Sequence, residues 1–239
     1  MAPKIILYTA HHCPFAHRSQ IVLRELGLEF ETVLVDITIP RTPEYLAINP
    51  RGMVPALTYD NLVLTESGLI SQFLVDSHPS HLLKSSSEPA GALQRFNIGY
   101  FVDTYFSKAQ PHFDLAVQSS GEAESIAAAN KYIDAVVIDI EPLLADAAPF
   151  FGGSRRPTLA EVQTGSFLLR VFSLPKHEDM APSFIPKLLE ERAPNFWRWG
   201  HAVMAENSVT SVWDEELVVR RTREKIDNIR KRKSAVQAQ

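Results

Sequence analysis

The chain carries one cysteine, Cys13, and a proline follows it at once, in His11-His12-Cys13-Pro14-Phe15-Ala16-His17-Arg18. A thiol acts as a nucleophile only as its thiolate, so the residues around it decide its use. Upstream, Lys4-Ile5-Ile6-Leu7-Tyr8 is short, apolar and β-branched, which predicts a buried strand. Downstream, Ile21, Val22, Leu23 and Leu26 give one apolar face to a segment closed by Gly27, which predicts a helix with a left-handed stop. Cys13 therefore falls at a strand-to-helix turn. Proline suits the first helical position because its missing N–H would have no acceptor there, so Pro14 makes Cys13 the expected N-cap. The sulfur would then face unpaired backbone N–H groups, whose dipoles favour an anion. A lone cysteine without this context reads as a small buried hydrophobe. With it, Cys13 reads as a nucleophilic thiolate. Ala16 stands where a Cys-x-x-Cys motif would have its second cysteine, so any disulfide formed by Cys13 is with another molecule and needs an external thiol to resolve it. Arg18 would add positive charge by folding back, although a helix arginine is expected to reach water.

Other residues near Cys13 are set aside. Tyr8 precedes a turn that already has its nucleophile and is assigned to strand packing. His11, His12 and His17 suggest zinc, but with one cysteine and no second ligand cluster the four-ligand requirement is unmet, and no metal is expected.

The elements that must hold Cys13 follow in order. Phe30 to Val35 predicts a second strand, and a strand-helix-strand unit of this length predicts parallel pairing. A polar stretch from Asp36 to Pro50 includes a short helix at Pro43 to Ile48. Met53 to Tyr59 and Leu62-Val63-Leu64 flank Asp60-Asn61, a hairpin signal. A helix then begins at Thr65-Glu66-Ser67-Gly68 and runs toward His78, and its first N–H groups could receive an anion. The order βαβ, hairpin, helix is that of a thioredoxin-like domain. After Ala90 only helical periodicity recurs, across Leu93 to Phe113, Ala123 to Ala147, Thr158 to Phe172 and Ile185 to Ala205. The expected division is a thioredoxin-like domain at 1–80, a linker at 81–89, an all-helical domain at 90–219 and a basic tail at 220–239. Thr158-Leu159-Ala160-Glu161 has capping-box spacing, and Phe150-Phe151-Gly152-Gly153 reads as a turn.

At 239 residues and 45% hydrophobic content the chain can bury a large core in one or two domains. The apolar runs fall short of a bilayer span and the first strand follows no signal-peptide pattern, so no membrane partner is expected. With one cysteine, the expected compartment is the reducing cytoplasm. A net charge of -4 argues against a nucleic-acid partner. Arg220 to Lys233 is nonetheless strongly basic, and is read as a solvated, fraying helix end rather than a nucleic-acid, membrane or import-receptor contact.

A thioredoxin-like domain joined to a helical one resembles the cytosolic glutathione transferases, and Cys13-Pro14-Phe15-Ala16 resembles their omega class, in which cysteine replaces tyrosine or serine. Met53-Val54-Pro55, Glu66-Ser67 and Phe150 to Glu161 match further family segments, and the resemblance runs to about Ala205. It implies Cys13 as the catalytic residue and glutathione as co-substrate, with no tightly bound cofactor. Val54 would pair its backbone with the tripeptide's cysteinyl unit across a cis Pro55. Ser67 would hold the γ-glutamyl carboxylate, Glu66 its ammonium, and Phe15 and Met53 would wall the site. Omega members carry a lysine where this chain has Thr42, leaving neighbouring Arg41 to hold the glycine-end carboxylate, or that end to be held more weakly. Tyr100, Phe101, Tyr105, Phe106, His112 and Phe113, with Phe172 or Trp197, are aromatic or helix-face residues open to two readings, electrophile pocket or core; Tyr100, Tyr105 and Phe106 are the pocket candidates. The family implies a homodimer. The implied activity is glutathione-dependent thiol transfer or reduction, dehydroascorbate reduction included; the alternatives are conjugation of glutathione to electrophiles, or a non-catalytic ligand-binding or regulatory protein on this fold.

Overall fold

A computed structural model describes residues 3–119, 121–177 and 179–237. Residues 238 and 239, the end of the expected tail, lie outside the described residues. Strand β1 (Ile5–Thr9) pairs parallel with β2 (Glu31–Leu34) and antiparallel with β3 (Ala56–Tyr59), which pairs antiparallel with β4 (Leu62–Thr65). The sheet order is β2-β1-β3-β4. Because side chains alternate along a strand, Ile5 and Leu7 enter the main core with α1 (Pro14–Glu25) and α3 (Ser67–Ser77). Tyr8 turns to the other face, where its ring meets Tyr45 of α2 (Pro43–Ile48) at 5.7 Å, so it packs as expected. Gly27 ends the α1 region at φ +64°, a conformation that costs glycine little.

The rest of the described chain is mostly helical: α4 (Gly91–Thr104), α5 (Gln110–Gln118), α6 (Glu122–Ala135), α7 (Leu159–Ser173), α8 (Ile185–Arg192), α9 (Pro194–Ala205), α10 (Asn207–Thr210) and α11 (Glu215–Gln237). Three expected segments are interrupted, each at a proline. Tyr105–Ala109 and Val136–Ile140 widen into π-helix just before Pro111 and Pro142. A proline cannot return the hydrogen bond four residues back and its ring crowds that carbonyl, so the preceding turn opens. Ile185 to Ala205, read as one helix, breaks at Ala193 (φ -137°, ψ 64°) before Pro194.

One contiguous core runs from Ile5 through α1, α3 and α4 to Ile226 of α11, so the sheet and the helices pack as one body. Two expectations change here. Leu82 and Leu83, assigned to a linker, are buried, and the Leu82 carbonyl accepts from Leu159 N at 2.9 Å. Residues 220–237, expected as a solvated, fraying helix end, are the helical end of α11, but Ile226 lies in the core rather than in solvent.

Every residue of α7 is buried, which makes this helix the axis of the fold. Its capping box is present: Thr158 Oγ1 accepts from Ala160 N at 3.2 Å, and Glu161 Oε2 accepts from Thr158 N at 2.7 Å. The other carboxylate oxygen accepts from Phe151 N (2.9 Å) and from the Trp199 indole (2.6 Å), so one buried acid joins a loop, a helix start and α9.

Candidate active site

Cys13 sits in extended backbone (φ -88°, ψ 117°) at the N-cap of α1, with Pro14 in the first turn. His17 N bonds back to the Cys13 carbonyl at 3.1 Å, while Phe15 and Ala16 supply the N–H groups that have no acceptor within a helix's first turn. The half-buried sulfur lies 4.0 Å from the Val54 carbonyl, which brings together two segments 41 residues apart. The Val54–Pro55 peptide is cis. The Met53 carbonyl accepts from Tyr45 Oη at 2.5 Å and Asn49 Nδ2 at 2.8 Å, which anchors the loop beneath the sulfur.

Phe15, Met53, Val54, Pro55, Glu66 and Ser67 line one cavity of about 200 Å3, which shares Phe15 with the separate cavity that holds Cys13. Asn49, Arg51 and Thr65 complete it; none is a sequence candidate, and their signals are the Asn49-Pro50-Arg51-Gly52 turn and, for Thr65, its place just before the Glu66-Ser67 pair. Arg51 pairs with the Glu66 carboxylate. Glu66 holds φ +66°, strained for a residue with a side chain, and such strain gathers where a backbone must aim its groups. Ser67 is buried, with its hydroxyl accepting from Arg18 Nη1 at 3.3 Å.

Arg41 and Thr42 are elsewhere. Arg41 donates to the carbonyls of Gly52 (2.8 Å), Asp36 (3.1 Å), Ile37 (3.3 Å) and Ile39, so its guanidinium braces its own loop rather than standing free for a carboxylate. A Cβ on Gly52 (φ +63°) would stand 3.1 Å from Arg41 Cγ, so this bracing needs glycine there. Thr42 caps α2 by accepting from Tyr45 N at 3.3 Å. Both residues border a depression beside β2 that excludes Cys13.

Two arginines flank Cys13 from beneath. Arg18, expected to reach water, is 7% exposed. Its Nε donates to Gln163 O at 2.7 Å and its guanidinium stands 4.2, 4.9 and 5.3 Å from the ring centres of Phe106, Phe167 and Phe15. Aromatic faces replace the missing water. Arg170, on α7, donates to Ser166 O (2.6 Å) and His12 O (2.9 Å). Burial brings both guanidinium groups down to about 10, partly offset by the nearby thiolate form of Cys13. A single arginine in the apolar run Phe167 to Phe172 was the signal for Arg170. Ser166 Oγ adds a bond to Pro14 O at 2.8 Å, so α7 grips the turn that carries the sulfur.

The aromatic candidates divide. Tyr105 is fully buried, burial pushes its phenol up, and it lines no cavity with Cys13, so it belongs to the core. Tyr100 is exposed and stacks on Phe96 on the outer face of α4. Phe106 borders an interdomain cavity of about 670 Å3 with Phe15 and Arg18, distinct from the cavity of about 340 Å3 that holds Cys13. Phe101 and Phe113 are buried too, but Phe113 also lines the Cys13 cavity.

Among known proteins, the family model described as glutathione S-transferase, N-terminal domain, matches residues 12–77. Glutathione S-transferase U22 of Arabidopsis thaliana is 31% identical over 154 residues, covering 64% of this chain and 67% of that protein. Other curated relatives reach 44% identity over shorter stretches, and the chain spans only 22% to 45% of their length. The structure of rice GST1 in complex with glutathione superposes with a TM-score of 0.80 at 24% identity, covering 95% of this chain and 98% of that one. Glutathione transferase Omega 2C of Trametes versicolor gives 0.75 at 25% identity, covering 94% and 99%. Among the described residues, no helix is long and apolar enough to cross a membrane.

Proposed function

This chain belongs to the glutathione S-transferase family, and we propose that within it the protein is an omega-like thiol transferase working through Cys13. The observation that carries this reading is the sulfur at the N-cap of α1, 4.0 Å from the Val54 carbonyl, at the mouth of the cleft between sheet and helices. The likeness to Omega 2C supports it. Glutathione is the co-substrate, held in the cavity of Phe15, Met53, Val54, Pro55, Glu66 and Ser67. Its γ-glutamyl end meets Ser67 and the first turn of α3, and its ammonium meets Glu66. Arg51 joins this set.

In the reaction, the Cys13 thiolate attacks the glutathione sulfur of a mixed disulfide. The Cys13–glutathione bond forms as the original S–S bond breaks, and the departing thiolate takes a proton from solvent. A second glutathione thiolate then attacks that same sulfur, which releases oxidised glutathione and returns Cys13 as thiolate. Dehydroascorbate would instead be reduced by addition of the Cys13 thiolate to a carbonyl carbon, after which a glutathione thiolate attacks the Cys13 sulfur, expelling ascorbate and leaving the Cys13–glutathione disulfide that a second glutathione resolves. The work belongs to the reducing cytoplasm, where glutathione is available. The exposed apolar side chains Leu62, Val63, Leu69, Leu93, Phe96 and Tyr100, on β4, α3 and α4, support a homodimer through this face.

The test is intact mass after incubation with oxidised glutathione, beside thiol-transfer and aryl-halide conjugation assays. The expected result is one glutathionyl adduct, absent from Cys13→Ser, and thiol transfer that exceeds conjugation. Conjugation without an adduct would assign the chain to glutathione activation instead, and neither activity would leave a ligand-binding protein.

A further inference from the structure

In the basic segment of α11, Arg221, Thr222, Lys225 and Ile226 line the cavity of about 340 Å3 that contains Cys13. These positions are i, i+1, i+4 and i+5, one stripe of a helix, so two of the segment's cations border the cavity that contains the sulfur. Across the cavity stands the buried guanidinium of Arg170, which has carbonyl partners and no carboxylate partner among the described residues. The remaining walls are largely apolar, with Phe113, Phe167 and Ile226.

Three cations, Arg170, Arg221 and Lys225, and one carboxylate, Asp114, border this cavity. Asp114 is the one carboxylate in the lining: its carboxyl accepts from Gln110 at 2.8 Å, and burial pushes its pKa up while the Gln110 bond, Lys225 and Arg170 oppose the rise. Arg221 pairs with Glu224 through Nη1 at 2.8 Å, an exposed contact of small worth, and its Nε has no acceptor among the described residues. Asp36 lies outside the lining; its carboxylate accepts from Thr38 N and Oγ1 at 2.8 and 2.6 Å, and those bonds, with Arg221 beyond them, hold it below the usual carboxylate range. Lys225 has no ion-pair partner among the described residues. His12, also in the lining, is held toward its neutral form by burial and by Arg221 and Arg170. The cavity is therefore apolar below and cationic above.

We propose that α11 selects the second substrate by charge: the group bound over Cys13 is an apolar or aromatic moiety bearing a carboxylate or similar anion, which Arg221 and Lys225 receive. This rests on the reading of Cys13 and glutathione above and adds the chemical class of what glutathione is joined to.

Two substrate pairs test it, each differing only in charge. Calorimetry compares binding of S-(4-carboxybenzyl)glutathione and S-(4-carbamoylbenzyl)glutathione, thioethers that cannot react with Cys13. Kinetics compares turnover of the mixed disulfides of glutathione with 4-mercaptobenzoate and 4-mercaptobenzamide. The carboxylate should be preferred about tenfold in both, less at high salt. The preference should shrink toward one in Arg221→Gln/Lys225→Gln, and Lys225→Glu should favour the amide. Equal binding of the two thioethers by the wild-type protein overturns the proposal. A preserved binding preference with neither disulfide turned over leaves charge selection standing and overturns thiol transfer by Cys13 instead.

Discussion

Cys13→Ser keeps the helix start, since serine is itself a good N-cap, but replaces a thiolate by an alcohol that does not ionise near neutrality. Thiol transfer should be abolished while the mutant keeps its fold, checked by turnover beside circular dichroism. His17, four residues on, makes a stability prediction. Burial drives its imidazole down from 6.5 to about 3, with Arg170 adding to the effect and the Val209 carbonyl opposing it only in part. The folded protein refuses a proton that the unfolded chain accepts below 6.5. This contribution is thus complete above pH 6.5 and is lost as pH falls toward 3, at about 1.4 kcal/mol per pH unit. Urea unfolding at pH 7 and pH 5 should differ by about 2 kcal/mol through this group. His17→Gln should remove that share of the acid sensitivity.

At the scale of elements, α7 matters most, because it grips the Cys13 turn through Ser166 and Arg170. Its cap sets its first turn. Thr158→Ala removes one capping acceptor and should cost about 1 kcal/mol in denaturant unfolding. Glu161→Ala should cost more, about 3 kcal/mol, since it strands the Trp199 indole and the Phe151 and Thr158 N–H groups in a dry interior. A Glu161→Gln variant should recover only part of the loss, since the amide keeps one acceptor oxygen and turns an NH2 donor toward groups that donate to the other; a Gln loss as large as the Ala loss would show that the retained acceptor contributes nothing. The π segments before Pro111 and Pro142 belong to this scale too. The first changes the helical phase just ahead of Gln110 and Asp114, the polar pair that reaches both interdomain cavities.

For the whole molecule, the continuous core means that sheet and helices should unfold together, in one transition rather than two. The proposed dimer face adds a concentration dependence. Phe96, two-thirds exposed and stacked on Tyr100, is a single large apolar side chain there. Phe96→Glu should lower the mass measured by light scattering from dimer to monomer; a wild-type protein that is monomeric at every concentration would remove this face from consideration.

What was readable in the residues alone was local chemistry. Cys13-Pro14 between an apolar strand and an amphipathic helix, Asp60-Asn61 between two short strands, and Thr158 three before Glu161 each act within a few residues, so sequence determined them. Long-range electrostatics was not readable. Whether Arg18 meets water or three aromatic rings, whether Arg41 is free or bound to four carbonyls, and whether Lys225 is a tail charge or a cavity wall depend on which surfaces pack against those side chains. Tyr105 and Phe106 are neighbours in sequence, yet one is core and the other lines a cavity, because helical phase at a proline-widened turn points them apart. Tertiary structure decided these, since a long charged or aromatic side chain has several orientations of similar intrinsic energy and packing selects among them.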